Sequence, residues 1–388
     1  MAVNKKKKKS SFSLRKLLVI PLLLLNGLAA IGLLLAFFAQ YLPPDWFSYS
    51  AFCGLGFIYL LAINAVFVIL WLFIKYQFAL LSLALILMNV GNIDKHYQIQ
   101  GSEKPPKCVN CIKVMSYNVK LFGLYDSKNQ KNLQQNKNKI LQYVYEEQPD
   151  IVCFQEYFYD KSGKLNFNTT DTLLSILKLK NKNYHFEYFT ANRDNFYFGL
   201  ATFSKNKIVG NGVVEMHDSS VIATYIEFKH KNDTIRVYNC HLASIHFDYE
   251  DYEMGKQLKI NAVNDPKWQK KAKILYEKLK IAFDIRGKQA KVLRQHLKNC
   301  PHLTIVCGDL NDSPASYAYN KVARGLKDSF RESGTGMGET YLGEIFPKFR
   351  IDYILHDKVY KSYGHTVETN ISISDHYPVY TWVSLYRN

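Results

Sequence analysis

The stretch TIVCGDLNDSP, residues 304–314, joins an apolar run to a cluster of polar residues. Its apolar run at 305–307 is typical of a buried strand, and Gly308 ends that run. Three polar residues follow within four positions: Asp309, Asn311 and Asp312. Glycine, asparagine, aspartate, serine and proline also make ordinary turns, so the stretch alone leaves a turn and a functional site equally open. The rest of the chain has to decide between them.

Strand-like segments rich in β-branched and aromatic residues recur after residue 111, bounded by polar turns. They cover 112–119, 150–157, 195–204, 220–228, 234–242, 303–310, 349–356 and 377–385. Helical patterns lie between them at 136–148, 171–180 and about 267–298. So many strands with helices outside predict an α/β sandwich with two buried sheets. Residues 246–290 have the composition of an insertion that carries surface loops.

Polar residues follow or interrupt most of these strands. They are Asn118, Glu156, Asn239, His241, Asp309, Asn311, Asp352, Asp375 and His376. Each one alone has an ordinary structural explanation. Asp352 is the hardest to explain in that way, because an unpaired buried carboxylate costs several kcal/mol. We expect it to have a partner, for which a histidine is the natural choice, and we interpret the whole set as one site.

The set is suited to phosphoester hydrolysis. Carboxylates such as Glu156 hold Mg²⁺, which prefers hard oxygen ligands, and two histidines supply a general base and a general acid. Asn239 and Asn311 are candidate substrate-binding amides. The sequence has no CxxxxxR, GxxxxGK[ST] or GxSxG motif, which argues against Cys-based phosphatases, P-loop hydrolases and serine esterases.

The first quarter of the chain is typical of a membrane anchor. Residues 1–16 hold seven basic residues and no acid, and three uncharged stretches follow at 17–44, 46–74 and 76–93. A spanning helix needs roughly 20 apolar residues, so the first two stretches qualify and the third is marginal. The length of the first run and the runs after it disfavour a cleaved signal peptide.

The two charges between these stretches predict their orientation. Cytoplasmic loops favour Lys and Arg, so the basic tail and Lys75 are expected inside and Asp45 outside. If the third stretch spans, the rest of the chain is extracytoplasmic, and if it re-enters, the rest is cytoplasmic. We favour a multi-pass protein of the cell membrane with an extracytoplasmic catalytic domain.

Charge and cysteine content narrow the possible partners. Of the net charge of +17, the tail carries seven and Asp45 cancels Lys75, which leaves +10 for residues 94–388. A moderately basic domain suits anionic partners such as nucleic acid, phosphate esters or acidic lipid. Cys108 and Cys111 have no second pair to complete a zinc site, and they predict a structural pair or a local disulfide.

The region from about 112 to 386 resembles the exonuclease–endonuclease–phosphatase superfamily, whose fold is that of deoxyribonuclease I. The motifs SYNV, FQE, NCHL, GDLND, RIDYIL and SDHYPV occur in the family's order. The resemblance implies a four-layer α/β/β/α sandwich preceded by two to three transmembrane helices. It also implies Mg²⁺, or Mn²⁺, with Glu156 as the principal ligand, Asn118 beside it and Asp375 in support.

The same resemblance implies the catalytic roles. Asp309 and Asn311 would bind and orient the attacking water, the phosphate or a second metal. His376, oriented by Asp352, would be the general base, although Asp309 is an alternative base. His241 would protonate the leaving oxygen or stabilise the transition state.

Differences between this sequence and particular branches of the family reduce the number of candidate substrates. Abasic-site endonucleases carry Asp where this chain has Lys120, and Asn where it has His241. Inositol polyphosphate 5-phosphatases carry a Trp-Cys-Asp-Arg motif where KFRIDYILH stands here. The His241 pattern resembles the branch of deoxyribonuclease I, sphingomyelinases and membrane-tethered bacterial proteins.

The leading hypothesis is a membrane-anchored, Mg²⁺-dependent phosphodiesterase or phosphatase that acts on a lipid headgroup or another phosphoester near the bilayer. The alternatives are a membrane-tethered nuclease acting on DNA or RNA, supported by the basic segment 265–298, and a non-catalytic scaffold. No protein partner is evident. The predicted domains are a basic cytoplasmic tail (1–16), a transmembrane region (17–93), a linker (94–111) and a catalytic domain (112–388).

Overall fold

The computed structural model describes most of the chain. The described residues are 14–99, 101, 110–125, 127, 129–180, 183–191, 195–218, 220–245, 266–343 and 348–385. The basic tail up to residue 13, most of the predicted linker and residues 246–265 of the predicted insertion lie outside them. Part of the predicted insertion is regular structure, because residues 266–290 belong to one long helix.

The described part of the N-terminal region is mostly helical. It comprises α1 (Leu14–Ala39), α2 (Ser48–Leu55), α3 (Phe57–Ile74), a 3₁₀ turn (Tyr76–Phe78), α4 (Ala79–Met88) and α5 (Val90–His96). Two helices, Val19–Ala39 and Phe57–Ile74, are long and apolar enough to cross a membrane. The segments Tyr76–Met88 and Val90–His96 form a pair bent by 57°, which passes the same test as one broken span.

The second predicted apolar stretch is thus interrupted. The chain breaks at Gly56 into the short α2 and the longer α3. The three apolar segments are joined by buried polar contacts: Trp71 Nε1 donates to Asn26 Oδ1 at 2.8 Å, and Ser82 Oγ donates to Asn64 Oδ1 at 2.9 Å. Asn26 Nδ2 also donates to Ser82 Oγ, at 2.6 Å. Such hydrogen bonds hold apolar helices together in an apolar environment, where burying apolar surface between helices gives no gain in free energy.

The remainder forms two six-stranded sheets. The strands are β1 (Cys111–Asn118), β2 (Ile151–Asp160), β3 (Tyr184–Ala191), β4 (Phe196–Ser204), β5 (Ile208–Glu215), β6 (Val221–His230), β7 (Asp233–His241), β8 (Leu303–Asp309), β9 (Leu326–Asp328), β10 (Asp352–Asp357), β11 (Lys361–Val367) and β12 (Val379–Ser384). The first sheet has the order β11-β12-β1-β2-β4-β3 and the second β5-β6-β7-β8-β10-β9. All eight predicted strands are present, and β3, β5, β9 and β11 are additional.

Helices cover the outer face of each sheet. They are α6 (Gln130–Glu147), α7 (Thr169–Ile176), α8 (Pro266–Lys298), α9 (Tyr317–Val322) and α10 (Ser329–Ser333). One apolar cluster lies between the first sheet and α6 and α7, and a second lies between the other sheet and α8 and α9. A third, which includes Val114, Ile226 and Ile305, fills the space between the sheets. These layers confirm the predicted four-layer α/β/β/α sandwich.

Candidate active site

The polar strand ends meet at one edge of the sandwich. In the parallel pairs, Asn118 lies opposite Gln155 and His241 lies opposite Asp309. Asp352 lies opposite Asp309 from the antiparallel neighbour β10. Because parallel strands end at the same edge of a sheet, the two sheets bring their polar residues to a common place.

Asp309 is the centre of this cluster. Its side chain is fully buried, and its Oδ2 accepts hydrogen bonds from Asn118 Nδ2 and Asn311 Nδ2, both at 3.1 Å. Its Oδ1 accepts from the backbone N–H of Asn311 at 2.7 Å. Burial raises the pKa of Asp309 to about 6, although the nearby His376 and His241 lower it.

The backbone around Asp309 allows this approach. Gly308 has φ +140°, and a Cβ there would lie 2.0 Å from the carbonyl oxygen of Cys240 on β7. Asn311 has φ +53°, a left-handed conformation that asparagine tolerates better than most residues. Its Nδ2 also donates to the carbonyl oxygen of Leu242 at 2.9 Å, which joins the loops that follow β7 and β8.

Glu156 is directed into the cluster by a bulge. The β2–β4 register shifts between Phe154 and Tyr157, and Glu156 has φ +49°. Bulges next to active sites commonly redirect a side chain in this way. Its Oε1 accepts from Asn118 Nδ2 at 3.2 Å, and burial raises its pKa above the ordinary value against the opposing effect of His376.

His376 and Asp352 form a buried pair. His376 Nδ1 lies 2.9 Å from Asp352 Oδ2, and His376 Nε2 lies 3.6 Å from Asp309 Oδ2. Burial alone would lower the pKa of His376, but the two carboxylates outweigh it and raise the pKa to about 10. The partner expected for Asp352 is therefore a histidine, and that histidine is a cation at neutral pH.

His241 lies on the other side of the carboxylates. Its Nε2 is 3.7 Å from Glu156 Oε1 and 3.8 Å from Asp309 Oδ2. Two imidazoles thus face Asp309 from β7 and from the segment before β12. The arrangement places two groups that can carry a proton at 3.6 Å and 3.8 Å from the same oxygen, Asp309 Oδ2.

Asp375 and Lys120 lie at the rim. Lys120 Nζ is 3.5 Å from Asp375 Oδ2, and both residues line the pocket above the cluster. Lys120, Leu121 and Phe122 all have positive φ, of 45°, 52° and 57°. This left-handed turn directly after β1 places Lys120 beside the acids. The sequence alone identifies Lys120 only as a difference from the abasic-site endonucleases.

Asn239 is not part of the cluster. It is fully buried between the sheets, and its Nδ2 donates to the carbonyl oxygens of Phe154 at 3.0 Å and Ala201 at 3.2 Å. Its Oδ1 accepts from Gln155 Nε2 at 2.7 Å. Because its amide atoms are used in joining the two sheets, we do not retain it as a substrate-binding residue.

The donor set fits a hard cation. Glu156 and Asp309 are carboxylates whose pKa values burial raises, so a divalent ion would favour their charged forms. Asn118 turns its Nδ2 toward them, so it orients the two acids in this conformation. A closer grouping of ligand atoms, within 4.8 Å, joins Asp309, Asp352 and His376, which differs from the predicted set of Asn118, Glu156 and Asp375.

The pocket above the cluster has an apolar wall that the sequence did not predict. The pocket has a volume of about 180 Å³. Its polar floor includes Glu156, Asp309, Asn311 and His376, and its apolar side comprises Leu55, Leu279, Phe283, Phe349 and Ile351. Leu55 comes from α2 and Leu279 and Phe283 from α8, far from the motifs in sequence, so no local signal could have found them.

Arg286 supports the loop that carries Asn311. Its side chain is 1% exposed, its Nε donates to Asp312 Oδ2 at 3.2 Å, and its Nη1 donates to the carbonyl oxygen of Ala243 at 3.2 Å. It thereby holds the loops after β7 and β8 together. Asp312 of the opening stretch is therefore a structural member of the site.

Comparison with known proteins identifies the family. Residues 115–376 match the model of the endonuclease/exonuclease/phosphatase family, and residues 15–96 match a domain of unknown function. The chain belongs to the endonuclease/exonuclease/phosphatase family, whose members hydrolyse phosphoester bonds and typically use a divalent metal. It is accordingly a phosphoester hydrolase. No curated protein sequence gives a significant match.

Several solved structures are similar. A family protein from Leptotrichia buccalis is 19% identical over 70% of this chain and 98% of that chain, with a TM-score of 0.47. The human nocturnin catalytic domain with bound sulfate is 19% identical over 72% and 95%, with a TM-score of 0.46. A mannosyl-6-phosphatase from Bacteroides thetaiotaomicron is 16% identical over 70% and 99%, with a TM-score of 0.45.

Proposed function

We propose that this protein is a membrane-anchored, Mg²⁺-dependent hydrolase that cleaves a phosphoester in a lipid headgroup. The observation that carries the proposal is the composition of the catalytic pocket. The pocket is lined by the acids and His376 and also by Leu55, the last residue of α2, which lies in sequence between the two apolar helices α1 and α3. A site with hydrolytic groups below and apolar side chains beside them suits a substrate that is polar at one end and apolar at the other.

Contacts between the anchor and the catalytic domain support this arrangement. The Phe52 ring of α2 stacks on Tyr276 of α8 with centroids 4.8 Å apart, and it meets Phe283 edge-on at 5.2 Å. Ser313 Oγ donates to the carbonyl oxygen of Gly54 at 3.4 Å. The segment before α3 is therefore packed against the domain that carries the site.

The end of the third apolar segment contacts the same domain. Lys95 Nζ donates to Asn320 Oδ1 at 2.6 Å, and Arg331 Nη2 pairs with Asp94 Oδ2 at 2.5 Å. Both α2 and α5 thus lie on the side of the membrane that holds the catalytic domain. Such an arrangement needs three crossings, with the bent pair Tyr76–His96 as the third.

Charge and disulfide chemistry favour the extracytoplasmic side. Three crossings place Lys75 and the basic tail together on the face opposite the catalytic domain, which is the cytoplasmic face by the preference for positive loops. Cys111 is disulfide-bonded, and disulfides persist outside the reducing cytoplasm. Both observations support a multi-pass protein with its catalytic domain outside.

We propose that Glu156 holds the metal, with Asn118 orienting it and Asp375 at the rim, while Asp309 beside them accepts a proton. When bound, Mg²⁺ polarises the phosphate and lowers the pKa of an attacking water. Asn311 holds Asp309 in place through two hydrogen bonds. The chain itself therefore fixes the carboxylates before substrate arrives.

The protonation states of Asp309 and His376 indicate which of them acts as the general base. Asp309, with a pKa of about 6, is mostly ionised at pH 7 and is the better acceptor for a proton from water. His376, with a pKa of about 10, is a cation held by Asp352 and stabilises negative charge on the phosphate. We therefore favour Asp309 over His376 as general base, and His241 as the donor to the leaving oxygen.

The test uses the full chain in lipid nanodiscs with Mg²⁺. The substrates are sphingomyelin- and phosphoinositide-type lipids, plasmid DNA, RNA and bis-p-nitrophenyl phosphate. His241→Ala and Asp309→Ala serve as site variants, and exposed Lys139→Ala serves as a control remote from the pocket.

Headgroup release that both site variants abolish and Lys139→Ala retains would support the proposal. DNA or RNA cleavage at low salt without lipid turnover, lost in the same variants, would replace it with a tethered nuclease. Cleavage of bis-p-nitrophenyl phosphate alone would support a phosphoester hydrolase but contradict a lipid headgroup as its substrate. No activity on any substrate would favour the scaffold hypothesis.

A further inference from the structure

A second cavity lies where the anchor meets the catalytic domain. It has a volume of about 470 Å³, and its lining includes Lys95, Lys321, Arg324 and Arg331. Among the described residues that line it, the acid is Asp328. That carboxylate is already engaged, since Arg350 Nη1 lies 2.9 Å away and Tyr319 Oη donates to it at 2.6 Å.

Lys95 enters this cavity with neutral partners. Its Nζ donates to Gln40 Oε1 at 2.9 Å, Asn92 Oδ1 at 3.2 Å and Asn320 Oδ1 at 2.6 Å. Amide oxygens satisfy the hydrogens of an ammonium group without neutralising its charge. Lys95 therefore contributes positive potential to the cavity, and Asp94 is occupied by Arg331.

Lys321 and Arg324 belong to a wider group of like charges that includes Lys291 and Arg294 of α8. Burial lowers the pKa of Lys321 below its ordinary value, and Arg324, Lys291 and Arg294 lower it further. Burial and Arg324 likewise lower the pKa of Arg294. Asp45 pairs with Lys291 at 3.8 Å. Clustered cations repel one another, so the group favours a bound anion.

The position of the cavity indicates where that anion comes from. Gln40 and Tyr41 follow the end of α1, and Lys95 lies at the end of the third apolar segment, so the cavity is at membrane–water level. Tyr41 is 60% exposed beside it, and Tyr is enriched at this level of a bilayer. The headgroups of membrane lipids lie at this level, so an anionic headgroup is within reach of the cavity.

We propose that this cavity binds the phosphate group of an anionic membrane lipid from the leaflet that faces the catalytic domain. The site is separate from the catalytic pocket, because the described residues lining the two cavities do not overlap. The inference depends on the proposed membrane insertion and not on the proposed lipid substrate. A bound lipid would neutralise the cations of the cavity and join the anchor to α9.

The test is native mass spectrometry of the full chain, purified in detergent and titrated with phosphatidylglycerol or phosphatidylcholine. The variant is Lys321→Gln with Arg324→Gln, two residues that line the cavity. The matched control is Lys131→Gln with Lys139→Gln on α6, which removes the same charge elsewhere. A parallel titration with inorganic phosphate, followed by thermal melting, tests a free anion.

We expect one phosphatidylglycerol molecule per chain, bound about 30-fold more weakly by Lys321→Gln with Arg324→Gln, or roughly fivefold for each charge lost. The α6 control keeps the affinity of the native chain. Equal binding of both lipids, or equal loss in both variants, would overturn the proposal. Stabilisation by inorganic phosphate without a lipid preference would assign the site to a soluble anion and overturn the lipid assignment. Because the readout is binding, a failure of the proposed lipid hydrolysis would not affect it.

Discussion

The pairing of Asp352 with His376 gives a prediction about a single residue. In Asp352→Asn the amide cannot stabilise the imidazolium, so we expect turnover of bis-p-nitrophenyl phosphate to fall about 10²–10⁴-fold with the fold retained. Initial rates in Mg²⁺ and melting curves measure the two effects. Asp357→Asn, at the far end of β10, is the control and should keep native turnover. Native turnover in Asp352→Asn would contradict a catalytic role for the pair.

Much of the site could be predicted from single residues. Glu156, His241 and Asp309 lie at or near the ends of apolar strands, and His376 comes just before the last one. A carboxylate inside a strand, such as Asp352, requires a partner. Asn239 shows the limit of this reasoning. A polar residue near a strand end can also face the space between two sheets, and the sequence of one strand does not say which neighbour it meets.

At the scale of the strands, Gly308 gives a second prediction. In Gly308→Ala the new methyl group would lie 2.0 Å from a carbonyl oxygen of β7, so β7 and β8 would have to separate. We expect a loss of several kcal/mol in the free energy of unfolding, measured by denaturant titration. Gly163→Ala is the matched control, because Gly163 also has positive φ but a methyl group there would have no atom within 4 Å. Its expected cost is about 1 kcal/mol.

The strands that were not predicted from the sequence were missed for a common physical reason. In β5, Gly210 and Gly212 lower the strand propensity of the sequence. A Cβ would lie 2.4 Å from the carboxylate of Glu227 at the first and 2.5 Å from the hydroxyl of Tyr225 at the second, so a larger residue would displace these side chains. β11 contains Gly364 at a register shift, and β9 has three residues. Their pairing depends on partner strands that no local pattern reveals.

At the scale of the whole molecule, Glu332 links the two sheets. Its carboxylate pairs with Lys327 of the β9 region at 3.0 Å and accepts from Ser362 of β11 at 2.9 Å and 2.8 Å. Burial alone would raise its pKa, but His356, Ser362 and Lys327 lower it to about 2. Its contribution to stability is therefore complete above its unfolded pKa near 4.5 and is lost as pH falls toward 2.

Glu332→Gln tests this linkage. We expect the variant to be about 2 kcal/mol less stable than the native chain above about pH 5, with the difference shrinking as the pH falls from about 4.5 to about 2. Melting curves across that range measure it. Glu146→Gln on the exposed face of α6 should differ little from the native chain at any pH. A pH-independent difference for Glu332→Gln would contradict the ionic explanation.

The proposed topology gives the fourth prediction. Protease added to right-side-out vesicles should degrade the catalytic domain, and inverted vesicles should protect it. In the sequence this inference rests on two charges, Asp45 and Lys75, whereas the structure adds contacts of α2 and α5 with one domain. Protection in right-side-out vesicles would show that the third segment re-enters the membrane.

The position of Leu55 in the pocket lining determines what is lost when this protein is truncated. A fragment that begins after the last apolar segment would lack one wall of its catalytic pocket and would leave Tyr276 and Phe283 without their aromatic partner Phe52. Such a fragment could retain hydrolysis of small esters while its selectivity for the natural substrate changes. Under the proposed function, the N-terminal helices therefore contribute to substrate selection, and truncation for solubility would alter that selection.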